Sequence, residues 1–307
     1  MTDGRAGAEF AIRATGLTRR AGGFLLDRVD VELPTGYVLG MVGANGAGKT
    51  TTIKALLGLV TCEAGSVGLL GSDVADRDAN GSDTADRAAR KERIGVVLDQ
   101  PFLAPRWPVR RLGRIVGPFY SRWDQDRFDR LLRRFRVPTD GRVESLSRGQ
   151  GTKLSLALAL AHDPDLLILD EPTSGLDPVS RADIVDLVRE FMVDERHSVL
   201  FSTHITSDLE GLADYVQILD EGTTAFRGGI DRLHEEFAYV RGVGEPDVRS
   251  ASAIIGLRRS RNGFEGLIRT DDSALFGPET EITAATTDDV VVHVARSHRP
   301  TDTEEAL

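Results

Sequence analysis

The chain has 307 residues, of which 40% are hydrophobic and 28% charged, enough for one large globular domain or a domain with an appendage. Its formal net charge of −10 argues against nucleic acid as the main partner, because phosphate backbones are bound by basic surfaces. A single cysteine, Cys62, excludes an internal disulfide and a cysteine-based metal cage. We expect no signal peptide and no transmembrane segment, since no apolar run approaches the roughly 20 residues that span a bilayer.

The first elements that the sequence predicts are strands. Residues 8–33 look like two or three short strands, and Pro34-Thr35-Gly36 is typical of a turn. A further short strand is predicted at 65–71, with a glycine at each end.

A glycine-rich loop follows an apolar run and leads into a helix-forming run that ends near Leu59. Gly43, Gly48, Lys49 and Thr50 fill the pattern G-x-x-x-x-G-K-[ST]. Glycines let the backbone turn tightly, so its N–H groups approach a phosphate, and the new helix points its positive N-terminus at the same anion. Lys49 can reach the β- and γ-phosphates, and the Thr50 hydroxyl can ligate Mg²⁺. The strand and helix on either side favour a phosphate-binding loop over a turn that matches by chance.

Residues 71–90 have a different composition. A run that begins Gly71-Ser72-Asp73 is echoed ten residues later by a similar run, and the segment is small, acidic and poor in large apolar side chains. It is predicted to be a solvated loop insertion.

The rest of the chain to about residue 230 alternates helices and strands. Residues 100–145 are predicted to be mainly helical, because Phe128, Leu131, Leu132 and Phe135 have the spacing of one helix face. Runs on either side predict a strand at 94–98, a helix at 154–161, a strand at 165–169, a helix at 178–194, a strand at 198–202, a helix at 207–213 and a strand at 215–219. This alternation implies a largely parallel sheet covered on both faces.

The pattern weakens after residue 230. Strands are predicted at 237–243, 264–270 and 290–295, which could form a small appended α+β unit. The polar stretch 298–307 is expected to be disordered.

Acidic side chains end the apolar strand at 165–169. Asp170 can hold the Mg²⁺ shell of a nucleotide, and Glu171 can orient or deprotonate an attacking water. Such a strand end is weak evidence alone, because it usually only marks the start of a loop. Together with the phosphate loop it indicates a nucleotide hydrolase.

Two further motifs accompany these acids. Ser147 is a good N-cap residue for the helix that follows it, and Gly149 lets backbone approach an anion, although read alone this is only a capped helix start. His204 ends a strand predicted to run parallel to the Asp170 strand, so it could reach a γ-phosphate from the neighbouring position.

Taken together, these residues resemble one family, the ATP-binding subunits of ABC transporters, over roughly residues 8–230. Residues 42–51 look like the Walker A loop, 146–150 like the signature, 166–171 like Walker B with the catalytic glutamate, 174–177 like the D-loop and His204 like the switch histidine. Within the family, the short helical region and the run 201–210 resemble the ABC-2-type exporter branch, close to YtrB-like and multidrug-type ATPases.

The resemblance implies an α/β fold with a P-loop NTPase core, an N-terminal antiparallel β part, a helical subdomain at about 100–150 and a small C-terminal α+β extension. The ATP-binding domain would cover 8–229 and the accessory unit 230–297.

The resemblance also assigns site residues, with ATP and Mg²⁺ as cofactors. Those assigned to catalysis are Glu171 and His204, and those assigned to ATP are Gly43, Asn45, Gly46, Ala47, Gly48, Lys49, Thr50, Thr51 and Phe24. The signature residues that would contact ATP across a dimer are Ser147, Arg148, Gly149 and Gln150, the D-loop residue is Asp177, and the metal ligands are Thr50, Asp170 and Asp99.

The implied mechanism needs partners. Two such domains, identical or different, sandwich two ATP molecules head to tail, and closure drives separately encoded integral membrane permease subunits, with export the expected direction. The chain is then expected in the cytoplasm, peripheral on the inner face of the cell membrane, with no nucleic-acid partner. The helical region would dock the permease's coupling helix.

The chain departs from the family at three places. The family's Q-loop glutamine falls at Asp99, with Gln100 one residue later, and either residue could serve. Arg148 stands where the signature usually has glycine. The aromatic residue that stacks on adenine is expected near Ala21, and Phe24 is the nearest substitute.

The sequence disfavours two other functions. A non-transport ABC ATPase acting on a soluble or nucleic-acid partner would be expected to have a long coiled coil, a second nucleotide domain or a basic surface, and the sequence predicts none of these. An inactive regulatory module is disfavoured because Glu171 and His204 are both present.

Overall fold

The computed structural model describes residues 10–73, 84–99 and 103–297. The elements of the first half are β1 (Phe10–Ala21), β2 (Phe24–Pro34), β3 (Val38–Val42), α1 (Lys49–Leu56), β4 (Ala64–Leu69), β5 (Ser72–Asp73), α2 (Thr84–Lys91), β6 (Ile94–Val97), α3 (Leu112–Val116), α4 (Gln125–Arg134) and α5 (Arg148–Leu160). Those of the second half are β7 (Leu166–Asp170), α6 (Pro178–Phe191), β8 (Ser198–Thr203), β9 (Tyr215–Asp220), β10 (Thr223–Gly229), α7 (Ile230–Glu236), β11 (Phe237–Val243), α8 (Val248–Ala253), β12 (Ile255–Ser260), β13 (Gly263–Arg269), β14 (Glu281–Ala284) and α9 (Thr287–Ser297).

A six-stranded sheet with the order β10-β9-β3-β8-β7-β6 forms the centre of the fold. All its neighbouring pairs are parallel except β9 with β10, and every residue of β3, β7 and β8 is buried. Continuous apolar strands of this kind are buried on both faces. The sequence-based prediction of a largely parallel α/β sheet is therefore confirmed, and it places the ends of β3, β7 and β8 side by side.

A second, antiparallel sheet with the order β2-β1-β4-β5 covers one side of the core. Ile12, Leu26 and Val31 of this sheet pack in one buried cluster with Ile53 of α1 and Met41 of β3. The predicted antiparallel part is confirmed, although its first two strands are long rather than short.

The region between β6 and α5 is less helical than predicted. Phe128, Leu131 and Leu132 are the buried face of α4, as their spacing predicts. Among its described residues, the remainder contains only α3 and single 3-10 turns, such as Val109–Arg111 after Pro108. Prolines and glycines recur through this stretch; a proline removes a helix hydrogen bond, and a glycine lowers helix propensity.

Two predictions of local structure are wrong. The predicted solvated loop at 71–90 contains β5 and α2, since the run that begins Thr84-Ala85-Asp86-Arg87 is rich in helix-forming residues; residues 74–83 lie outside the described residues. The predicted helix at 207–213 is only a 3-10 turn, Thr206–Leu209, which is followed by Gly211 with a φ of 63°.

A third sheet, with the antiparallel order β12-β13-β11-β14, lies in the C-terminal part. The strands predicted at 237–243 and 264–270 correspond to β11 and β13, but the strand predicted at 290–295 is wrong, because those residues lie in α9. Val290, His293 and Val294 are buried at helical spacing. The packing of this helix face therefore outweighs the strand propensity of the β-branched residues. The predicted disordered tail at 298–307 lies outside the described residues.

The C-terminal part shares a core with the central sheet. One continuous buried cluster contains Phe201, Val216 and Phe226 of the central sheet together with Phe237 of β11 and Val290 of α9. Among the described residues, no helix is both long and apolar enough to cross a bilayer.

Gly222 joins the antiparallel sheet to the phosphate loop, and its substitution tests how tightly they are joined. Its N–H donates to the Ala47 carbonyl and its carbonyl accepts from the Asp27 N–H, at 3.1 and 2.9 Å. Its φ is 81°, and an added Cβ would overlap the Leu25 carbonyl oxygen. We expect Gly222→Ala to lower the unfolding free energy by about 3 kcal/mol or more in chemical denaturation, since the backbone must also move.

Gly244→Ala is the matched control. Gly244 has a φ of 75° but no atom within 4 Å of an added Cβ, so only the backbone strain of about 1 kcal/mol should remain. Equal losses in the two variants would contradict the tight contact at Gly222.

Candidate functional site

The phosphate loop connects the end of β3 to the start of α1. Gly46 and Gly48 have φ values of 88° and 111°, a conformation that favours glycine, and a Cβ on Gly43 would overlap the Leu219 carbonyl oxygen. No side chain caps α1, whose N-cap residue is Gly48. The N–H groups of its first turn are therefore available to an anion, as the motif predicts.

Lys49 is the buried cation of this loop. Its ammonium donates to the carbonyl oxygens of Gly43 and Ala44, at 2.6 and 3.2 Å, and lies 3.0 Å from Glu171 Oε1. The side chain is only 5% exposed, so its charge is compensated by these contacts rather than by bulk water. The loop after β3 and the residue after β7 are thereby brought together.

Asp170 ends β7 and lies between two hydroxyl groups. Its Oδ1 accepts from Thr50 Oγ1 at 3.2 Å and from Ser202 Oγ at 2.7 Å, while its Oδ2 is buried without a hydrogen-bond partner among the described residues. Burial raises the pKa of this carboxyl group. A buried carboxylate oxygen beside a threonine hydroxyl fits Mg²⁺, which takes oxygen ligands and usually shares them with substrate phosphates.

Glu171 follows in a strained backbone conformation, with a φ of 52°. Its N–H donates to the Ser202 carbonyl, and its Oε2 lies 2.6 Å from His204 Nδ1. The glutamate side chain is 11% exposed and the histidine 37%. A carboxylate held on one side by an ammonium and on the other by an imidazole is suited to take a proton from a bound water.

Asp99 and Phe24 also lie at this cleft. A cavity of about 460 Å³ is lined by Ala21, Phe24, Ala44, Asn45, Gly46, Gly48, Lys49, Thr50, Thr51, Asp99 and Glu171. The Phe24 ring is close to the loop, because a Cβ on Gly48 would lie 3.0 Å from its tip. Gln100, the other Q-loop candidate, lies outside the described residues.

The signature residues do not line this cavity. Ser147 and Gln150 form a reciprocal capping box at the start of α5, and an added Cβ on Gly149 would lie 3.1 Å from Leu176. Among these signature residues, Arg148 contacts a residue that lines the cavity, since its Nη2 lies 2.7 Å from Asp99 Oδ1.

Asp177 likewise lies away from the cavity, where it caps α6. Its Oδ1 accepts from the N–H groups of Ser180 and Val179, at 3.0 and 3.1 Å, and the Ser180 contact is the largest cause of the lowered pKa of this carboxyl group.

Comparison with known proteins identifies the arrangement. The family model described as ABC transporter matches residues 26–174. The daunorubicin resistance ATP-binding protein DrrA3 of Streptomyces coeruleorubidus is 34% identical over 235 residues, which are 75% of this chain and 71% of that protein. The chain belongs to the ABC transporter ATP-binding proteins.

Other relatives of this ABC protein fit the exporter branch. The Nod factor export ATP-binding protein I of Cupriavidus metallidurans is 35% identical over 209 residues, which are 66% of each chain. The chain spans 61% of the corresponding protein of Cupriavidus pinatubonensis, at 35% identity. The match therefore covers about two thirds of these relatives' length.

Solved structures support the ABC ATPase fold. An ATP-binding subunit of an ABC transporter has a TM-score of 0.62 at 24% identity, with 73% of this chain and 92% of that one covered. A dimeric ATP-binding cassette bound to ADP and Pi in a post-hydrolysis state has a TM-score of 0.61 at 20% identity, with 71% and 98% covered.

The ABC site includes a residue that the sequence-based interpretation missed. Ser202 donates to Asp170, and its Oγ lies 3.1 Å from the Glu171 N–H, so one hydroxyl contacts both acidic residues. A serine directly after the apolar residues 199–201, on the strand next to that of Asp170, is the signal that could have indicated it.

We expect Ser202→Ala to lower kcat/KM for ATP about tenfold and to raise the Mg²⁺ concentration needed for half-maximal activity, because the buried Asp170 loses a charged hydrogen bond. Steady-state ATPase assays at varied Mg²⁺ would measure both. Ser207→Ala, at an exposed serine on the same segment, is the control. Unchanged activity in a folded Ser202→Ala protein would contradict this role.

Proposed function

We propose that this chain is the ATP-hydrolysing nucleotide-binding subunit of an ABC exporter that works through separate membrane subunits. The observation that supports it most is the meeting of Lys49, Glu171 and His204 beside the Asp170 carboxylate at one end of the sheet. Three different strands must be aligned to bring these groups together, so the arrangement is specific to nucleotide chemistry.

In this proposal the phosphates of ATP lie on the loop from Gly43 to Thr51, where backbone N–H groups and the Lys49 ammonium offset their negative charge. Thr50 and Asp170 would hold Mg²⁺, whose contribution is to offset charge on the β- and γ-phosphates. Glu171 accepts the proton of the attacking water. His204 holds the Glu171 carboxylate in place through the 2.6 Å contact at Nδ1. In its imidazolium form it can also donate from Nε2 to the γ-phosphate.

A second ATP-binding chain, identical or different, would complete the site. Ser147, Gly149 and Gln150 lie outside the cavity of their own chain, at the N-terminal end of the 13-residue helix α5. That end presents N–H groups and a positive helix dipole, which suit the γ-phosphate of an ATP bound to a partner. We place Asp177, which begins the next helix, near the same interface.

The membrane partner is proposed from the relatives and from the surface. The relatives are named for Nod factor export and daunorubicin resistance, so we expect an export permease encoded separately. The helical region at 100–150 presents Trp107 and Phe119, which are 38% and 75% exposed, and large exposed aromatics are typical of docking surfaces. The chain would then lie on the cytoplasmic face of the membrane.

We expect Glu171→Gln to lower ATP turnover at least about 100-fold while ATP binding is retained, because the amide cannot accept the proton of water. Phosphate release and binding of a fluorescent ATP analogue would measure the two properties. Glu221→Gln is the matched control: Glu221 also follows an Asp at the end of a buried strand with a positive φ, 44°, but it is exposed and does not line the cavity.

Capture from solubilised membranes with the Glu171→Gln protein and ATP tests the partner. We expect mass spectrometry to find a polytopic membrane protein that is absent when ADP replaces ATP. Recovery of soluble proteins alone, under conditions where the variant binds ATP, would reject the transport role and favour a non-transport ABC ATPase.

A further inference from the structure

The two departures from the family motifs are in direct contact. Arg148 stands at a signature position where the family usually has glycine, and Asp99 stands at the expected Q-loop glutamine. The structure places Arg148 Nη2 2.7 Å from Asp99 Oδ1, although 49 positions separate the two residues along the chain. Two departures that meet with opposite charge indicate that each compensates for the other.

Asp99 belongs to the triphosphate end of the cleft. It follows β6 by two residues and lines the same cavity as Lys49 and Glu171. Asp170 lies beside the same loop, since its Oδ1 accepts from the Thr50 hydroxyl. Asp99 is thus one of three carboxylates around the place proposed for the phosphates.

Without Arg148, negative side chains outnumber positive ones at this end of the cleft. Among the described residues that line the cavity, Lys49 is the cation, and its ammonium already lies 3.0 Å from Glu171 Oε1. Asp170 is held by hydroxyl groups, which carry no charge. The ion pair that the structure gives to Asp99 is with Arg148. ATP carries several negative charges, so an unpaired Asp99 would repel its phosphates.

Arg148 also lies over a neighbouring turn. Its Nη1 would lie 3.3 Å from a Cβ on Gly175, which has a φ of 70° and precedes Leu176 and Asp177. The planar guanidinium can therefore hold Asp99 through one nitrogen while it packs over the Gly175 backbone through another, a geometry that a lysine ammonium cannot reproduce.

We propose that Arg148 is a positioning residue for ATP binding in its own chain, acting through Asp99. It neutralises Asp99 and holds it at the edge of the cleft, so that the carboxylate does not oppose the phosphates. This rests on the proposed ATPase function and goes beyond it, because the family's signature position is here given a contact within the same chain.

The test is a double-mutant cycle built from the family's own residues. We expect Arg148→Gly to raise KM for ATP roughly three- to tenfold, a value in the lower part of the range of coupling between contacting residues, with a smaller change in kcat. Asp99→Gln alone should lower KM, because it removes a carboxylate from the cleft while the Arg148 charge stays. The double variant Asp99→Gln/Arg148→Gly should return KM to near wild type, although it lacks the same arginine.

Arg142→Gly is the matched control. Arg142 precedes the same helix, is 60% exposed and pairs with Glu144 at 3.8 Å, away from the cavity. Its removal makes the same change in net charge, so we expect no change in KM. Thermal unfolding of all variants separates a change in binding from a loss of folded protein.

Equal KM values for Arg148→Gly and the double variant would overturn the inference and show that Arg148 acts elsewhere, such as on a partner's ATP. The cycle is repeated in the Glu171→Gln background with a fluorescent ATP analogue as the probe. Absence of turnover in the wild type would reject the proposed function alone, whereas loss of coupling in these binding measurements would reject the role of Arg148.

Discussion

The site depends on one buried ion pair, between Lys49 Nζ and Glu171 Oε1 at 3.0 Å. Two charges that are 5% and 11% exposed gain little net stability from each other, because the cost of removing them from water offsets much of their attraction. The pair is better understood as a functional arrangement that the fold tolerates. Glu171 also has a strained φ of 52°, which the surrounding strands impose against its local preference.

Strand order explains why these charges meet. β8 lies between β3 and β7, so the residues that follow the three strands lie at one edge of the parallel sheet. Ser202 on the middle strand contacts Asp170 at the end of β7 and Glu171 just after it, and His204 follows the same strand. The middle strand therefore sets the distance between the phosphate loop and Glu171, the proposed proton acceptor.

Much of this could be predicted from the sequence, since a phosphate loop requires a strand before it and a helix after it. Two acidic strand ends look alike in the sequence. Asp170-Glu171 and Asp220-Glu221 stand at the ends of the buried strands β7 and β9, and β9 neighbours β3 directly whereas β8 separates β7 from it. The two acidic pairs differ in whether the Lys49 side chain points toward them, and the pattern of a single sequence does not contain that information. The family motifs supplied it instead.

Local patterns failed where tertiary contacts or turn chemistry decided the outcome. The valine-rich run that begins Val290-Val291-Val292 has strand propensity but forms α9, because one face of that helix packs on the continuous core. The capping of α5 by Ser147, by contrast, was predictable because a capping box is local. Long-range pairs such as Arg148 with Asp99 were not, since each residue alone is an ordinary exposed charge.

The position of α9 gives the C-terminal part a physical link to the site. Thr206 Oγ1 donates to Asp288 Oδ1 of α9 at 3.1 Å, only two residues after His204. Asp208, in the same 3-10 turn, is buried and accepts from Thr173 Oγ1 at 2.5 Å, two residues after Glu171. The segment that follows His204 is thus held between α9 and the residues that follow β7. These two hydrogen bonds therefore link the segment that follows His204 to both α9 and the residues after Glu171.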